Sequence, residues 1–162
     1  MIIILEGPDC AGKTTLAEKF KKELGINAKY IHLNSEAVES DYTCVLDPNK
    51  HVGTKHRIID RHWPSEVVYG HVFRNGPRIN VDRIVSYAQT QKAIYILCLP
   101  PKKEVSKNFH KRIEKEQYNT VSKVYDFYKT LISTYSEFIK YDYTKDTFEE
   151  IFKKVKAKDH VN

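Results

Sequence analysis

Long apolar runs are missing from this sequence, and their absence removes whole classes of protein. Nothing in the 162 residues is apolar enough for long enough to span a bilayer. The opening Met1-Ile2-Ile3-Ile4 is too short for a secretory signal, and it lacks a basic lead and a small-residue cleavage site. Cysteine is scarce: Cys10, Cys44 and Cys98 are an odd three without metal spacing, and Cys98 sits in an apolar run as a core residue would. This argues against a disulfide framework and for a reducing, cytoplasmic setting. His51 and His56 have no carboxylate or cysteine spaced to join them in a metal site. Internal repeats and low-complexity linkers are also missing, so residues 1–162 read as one domain with one core.

Charge is less one-sided than it first looks. The formal balance is +6, from 27 Lys+Arg against 21 Asp+Glu. Such an excess suits polyanionic small substrates or a nucleic-acid surface. Much of it lies near the end, at Lys153, Lys154, Lys156 and Lys158, which reads as a solvated helix face. No aromatic-rich basic motif accompanies it, so nucleic acid is not the expected partner.

What is present is a phosphate loop. Gly7-Pro8-Asp9-Cys10-Ala11-Gly12-Lys13-Thr14 has the pattern of glycine, four free positions, glycine, lysine and a hydroxyl residue. Before it, Met1-Ile2-Ile3-Ile4-Leu5 is a short apolar run of the kind a buried parallel strand requires. After it, Leu16, Phe20 and Leu24 recur every four residues beside Ala17, and Gly25 follows as a helix stop. The glycines let backbone N–H groups approach phosphate oxygens, and the helix opening at Lys13 adds its positive end. Lys13 is then expected to reach the β and γ phosphates of ATP, and the Thr14 hydroxyl to take a position on Mg²⁺.

The rest of the chain supplies the sheet. Ala28 to Leu33 reads as a second strand, and a short helix is expected around Glu36 to Val45, before the turn Asp47-Pro48-Asn49. His56 to Asp60 is a third strand ending in an acid. A helix follows with Pro64 in its first turn and Trp63 outside it, running to Phe73. Another helix covers Asp82 to Gln89, and Ala93 to Leu99 is a fourth strand. From Glu104 to Glu116 a helical pattern returns, with Lys103, Lys107, Lys111 and Lys115 every four residues. Like charges at that spacing repel by a few tenths of a kcal/mol per pair. A bound polyanion would relieve them, as would a solvated face balanced by Glu104, Glu114 and Glu116. Thr120 to Ile139 reads as a longer helix whose tyrosines suit the core, and Lys140 to Tyr143 as a fifth strand. Asp146 and Glu149 form a capping box for a last helix. Strands alternating with helices give a five-stranded parallel sheet covered on both faces, with ligands outside the strands' carboxyl ends.

Glu6-Gly7-Pro8-Asp9-Cys10-Ala11-Gly12-Lys13-Thr14-Thr15 followed by Asp60-Arg61-His62, Ser65 and Tyr69 resembles the thymidylate kinase family of P-loop nucleoside monophosphate kinases, in particular its compact bacteriophage-encoded members. The likeness spans the chain in element order, with specific motifs in about a fifth of it. It implies that Gly7 to Thr15 bind ATP, and that Asp9 holds the acceptor sugar 3′-hydroxyl. It implies that Asp60 holds Mg²⁺ together with Thr14, and that Arg61 bridges donor and acceptor phosphates. Tyr69 would pack on the acceptor base and Ser65 would belong to the same site. Lys111 and Arg112 would lie in a lid around 102–118, and the loop Tyr143-Thr144-Lys145 near the donor adenine. A homodimer and a cytoplasmic location, the host's if phage-encoded, are further implications.

One departure bears on the acceptor. The family places an arginine soon after the second strand, and here that region reads His32-Leu33-Asn34-Ser35-Glu36. Arg74 or Arg78 is the candidate replacement. The expected reaction passes the γ-phosphate of ATP to a deoxynucleoside monophosphate, dTMP first, with other bases open. A deoxynucleoside kinase with Glu6 as general base is the alternative, and a nucleotide-dependent nucleic-acid-binding module is a second.

Overall fold

The computed structural model describes residues 1–110 and 118–161. Five strands, β1 (Ile2–Glu6), β2 (Ala28–His32), β3 (His56–Asp60), β4 (Ile94–Cys98) and β5 (Ile139–Tyr141), form one parallel sheet in the order β2-β3-β1-β4-β5. The helices are α1 (Lys13–Leu24), α2 (Glu39–Cys44), α3 (Trp63–Phe73), α4 (Val81–Thr90), α5 (Lys102–His110), α6 (Tyr118–Thr134) and α7 (Phe148–Val161). β1 takes the central position because every residue from Ile2 to Glu6 is buried on both faces.

Alternation along the strands divides the core in two. Ile2 and Ile4 join Ile59, Tyr95 and Leu97 under α2, α3, α4 and α6. Ile3 and Leu5 join Ile58, Ile94 and Ile96 under α1, α5 and α7. The chain leaves β1 through α1 on one face and leaves β3 through α3 on the other. The sheet order therefore reverses beside β1, and a crevice opens at the carboxyl ends of β1 and β3.

Several boundaries differ from those expected. Trp63 is the first residue of α3 rather than outside it, and its ring is buried against Tyr95, Tyr135 and Phe138. α6 ends at Thr134, and Ile139 belongs to β5, because Phe138 turns into the core and the chain must then extend beside β4. The cap of α7 is one residue later than the sequence pattern suggested. Thr147 and Glu150 bond each other's backbone N–H and side chain, while Asp146 accepts from the Asp142 N–H and closes the preceding turn. The expected helix after Glu104 is present as α5, and its continuation, with Lys111, Arg112, Glu114, Lys115 and Glu116, lies outside the described residues. No helix among the described residues is long and apolar enough to cross a membrane.

Candidate functional site

The phosphate loop joins the end of β1 to α1, and two glycines shape it. Gly7 has φ +134°, and a Cβ there would lie 2.2 Å from the Cys98 carbonyl oxygen at the end of β4. Gly12 has φ +88° and caps α1, and a Cβ there would come within 3.0 Å of the Tyr143 ring. Among the described residues α1 has no side-chain cap, and its first turn holds no acidic residue, which leaves its first N–H groups for another partner. Lys13 is buried, and its Nζ donates to the Gly7 and Pro8 carbonyls at 2.8 Å each. Burial and the nearby Arg61 hold its pKa below the ordinary lysine value, against the pull of Asp60 and Asp9.

Beside the loop opens a cavity of about 1350 Å³. Gly12 to Thr15 form its floor, Asp9, His32, Asp60 and Arg61 one end, and Tyr143 with the start of α7 the other. It thus runs from the carboxyl ends of β2 and β3, across the loop, to the segment after β5. Asn108 of α5 donates to the Tyr143 hydroxyl at 2.9 Å and fixes that ring over Gly12. Thr144 folds away onto Asp142, with its N–H and hydroxyl both donating to that carboxylate.

Arg61 follows β3 with φ +73°, an unusual backbone for a side chain this size. Its guanidinium donates to Asp9 at 2.5 Å, to the Tyr69 hydroxyl at 3.2 Å and to Ser65 Oγ at 3.2 Å, and lies over the Tyr69 ring. The Tyr69 hydroxyl also donates to Asp9, and its ring stacks on the half-exposed Phe73. Asp9, Arg61, Ser65 and Tyr69, singled out from four places in the sequence, therefore form one cluster. Asp60 is buried, and its Oδ2 accepts from the Tyr30 hydroxyl at 2.8 Å and lies 3.5 Å from His32 Nδ1. Its Oδ1 has no hydrogen-bond partner among the described residues.

Arg74 and Arg78 do not line the cavity. Both converge on Glu66 of α3, Arg74 at 2.7 Å and the Arg78 N–H at 2.8 Å, and Arg78 also reaches the Ser35 carbonyl after β2. Burial alone would raise the Glu66 pKa, but these bonds outweigh it and hold the carboxyl below its ordinary value.

Sequence reasoning missed what surrounds Glu6. This acid is fully buried, and it accepts from the His62 N–H, from Ser65 Oγ at 2.7 Å and from Tyr128 Oη at 3.0 Å. All three of these donors come from α3, its N-terminal cap and α6. One signal was available: an acid closing an otherwise apolar buried strand must find donors inside the protein. His62 is likewise internal, between the Tyr42 carbonyl at 2.8 Å and the Tyr95 hydroxyl at 2.9 Å.

No family model and no curated protein sequence matches the chain. Solved structures do. The YorR protein from Bacillus subtilis, in complex with phosphorylated GDP, is similar over 96% of this chain and 93% of its own, with a TM-score of 0.75 and 23% identity. Deoxyadenosine kinase from M. mycoides with products dCMP and dCDP is similar over 97% of this chain and 99% of its own, at TM-score 0.63 and 18% identity. The same enzyme with bound dCTP gives a TM-score of 0.61 at 17% identity, over 97% of this chain and 100% of its own. At such identities the likeness is one of fold: this chain has the α/β fold of the P-loop nucleotide kinases, a five-stranded parallel sheet flanked by helices.

Proposed function

We propose that the chain is a nucleoside monophosphate kinase that passes the γ-phosphate of ATP to a deoxynucleoside monophosphate, with dTMP the first acceptor to test. The observation that carries this reading is the shared cavity: the uncapped start of α1 and Lys13 lie in the same cleft as Arg61 and Asp9. One wall can hold a triphosphate, and the other offers a cation and a carboxylate suited to a phosphate and a sugar hydroxyl.

In this reading the amides of Gly12 to Thr15 bind the donor phosphates, and Lys13 leaves the Gly7 and Pro8 carbonyls to meet the β and γ oxygens. Arg61 places positive charge on the equatorial oxygens as the phosphoryl group moves between two anions. Asp60 and Thr14 fit a magnesium ion, because a buried carboxylate oxygen without a donor suits a cation or its bound water. Such an ion would neutralise charge on the β and γ phosphates. Lys111 and Arg112 are the proposed lid cations. Tyr143, set over Gly12, faces the donor end of the cleft.

The competing reading is a deoxynucleoside kinase, a class to which the M. mycoides structures belong by name. It needs a base for the 5′-hydroxyl proton, and Glu6 is poorly suited. Both of its oxygens are occupied by donors and none of its surface is exposed. An acceptor phosphate is already ionised and needs no base. ADP release with ATP and Mg²⁺, measured across all deoxynucleoside monophosphates and all deoxynucleosides, tests the proposal. Turnover is expected with one or more monophosphates and not with nucleosides, and turnover with nucleosides alone would reverse the assignment.

A further inference from the structure

The polar cluster at Glu6 has more order than the burial of one acid requires. It draws three donors from two elements: the backbone at the start of α3, Ser65 of the same helix, and Tyr128 of α6, 122 residues along the chain. Ser65 Oγ also lies 2.8 Å from Tyr128 Oη and 3.2 Å from Arg61 Nη1. A hydroxyl has one proton and two acceptor positions. With its proton on Glu6, Ser65 accepts from Arg61 and shares the single Tyr128 proton with Glu6, which lies 3.0 Å from the same hydroxyl.

Arg61 is thereby divided. Its Nη1 is bound through Ser65 to the Glu6 carboxyl in the protein interior, and its Nη2 faces Asp9 and Tyr69 at the cleft. The backbone at Arg61 is fixed, but an arginine side chain retains several rotatable bonds. A guanidinium free to sample them would spend little time aligned with a transferring phosphate. A link from a fully buried carboxylate removes that freedom at one end only.

We infer that Tyr128 and Glu6 are positioning residues: acting through Ser65, they hold the Arg61 guanidinium so that Nη2 is presented to the transferring phosphate. The phosphate transfer rests on the proposed kinase function, and the restraint on geometry alone. Neither residue touches substrate. The consequence is that α6, far from the phosphate loop in sequence, helps to set the aim of the cation beside it.

Tyr128→Phe tests this, because it keeps the ring that fills the core and deletes only the hydroxyl. Expected are a fall in kcat of roughly tenfold, the size of one lost hydrogen bond in a charged network, and KM values for both nucleotides within about twofold of the parent. In an Arg61→Ala background the same substitution should change kcat no further. An equal loss in both backgrounds, or a loss confined to KM, would overturn the inference. Should Tyr128→Phe fail to fold, Ser65→Ala takes its place in the same cycle with the same expectations. A second measurement needs no activity. In ¹⁵N spectra the Arg61 Nη signals should be restrained in the parent protein and rotationally averaged in the variant. Unchanged signals overturn the inference even if the parent transfers no phosphate to any acceptor, a result that would count against the proposed function separately.

Discussion

Arg61 and Asp9 form an ion pair at 2.5 Å across the mouth of the cleft, with the arginine side chain 16% exposed and the aspartate 54% exposed. A pair open to water on one side contributes little to stability, typically under about 1 kcal/mol. Its place between the phosphate loop and α3 points to another use. Without ligand the two groups neutralise each other, and an acceptor with a phosphate and a sugar hydroxyl would give each a separate partner.

Replacing Arg61 by alanine is therefore expected to lower kcat on the order of a hundredfold, the usual size of one lost transition-state charge. Arg61→Lys should recover only part of this, since an ammonium cannot reach Ser65 and Asp9 at once. Steady-state ADP release for both variants checks the order. A lysine variant equal to the parent would show that charge alone suffices there.

Lys13 offers the opposite balance of function and stability. A buried cation whose pKa burial depresses is costly to the fold, and its two bonds to carbonyls return only part of that cost. Lys13→Met keeps most of the volume and removes the charge. Turnover should fall at least a hundredfold while thermal denaturation shows no loss of stability. Melting well below the parent would mean that the loop depends on the lysine for its shape.

The loop geometry makes a sharper demand at Gly7. An alanine Cβ would sit 2.2 Å from a backbone oxygen that β4 holds in place, so Gly7→Ala should prevent folding or cost several kcal/mol. Gly76→Ala is the control. It has nearly the same φ, +132°, but nothing within 4 Å, and should cost about 1–3 kcal/mol. Comparing the two in denaturant titrations separates the close approach from the conformation alone.

These residues also show which parts of the protein could be read from its sequence. The strands were legible because a central parallel strand is buried on both faces, so Ile2 to Leu5 and Ile94 to Cys98 are unbroken apolar runs. The phosphate loop was legible because its spacing is a backbone requirement. What escaped depends on contacts between distant positions. Tyr128 fits a core stripe whether or not its hydroxyl meets Glu6, and no spacing rule links positions 122 apart. The hold of Arg74 and Arg78 on Glu66 escaped because that acid reads as an ordinary exposed helix residue. The α6 boundary was misplaced because Phe138 continues the helical period while the sheet takes the chain from Ile139.

His62 makes stability depend on pH in a window that the sequence did not suggest. Its Nε2 faces the Tyr42 carbonyl and must carry the proton, so Nδ1 accepts from the Tyr95 hydroxyl. A second proton would break that bond inside the core, and burial pushes the ring pKa down to about 4. The unfolded chain takes up that proton near pH 6.5 and the folded one does not until about pH 4. The stability His62 contributes is therefore complete above pH 6.5 and is lost as pH falls between these values. The loss is about 2 kcal/mol by pH 5. His51 and His56, also held below the ordinary value chiefly by burial, act in the same direction, whereas Glu6, pushed up by burial, acts against it. The difference between parent and variant isolates the share of one ring. Urea titrations at pH 7 and pH 5 should show a smaller loss in His62→Gln than in the parent. Equal losses would mean that the ring at position 62 does not resist protonation in the folded protein.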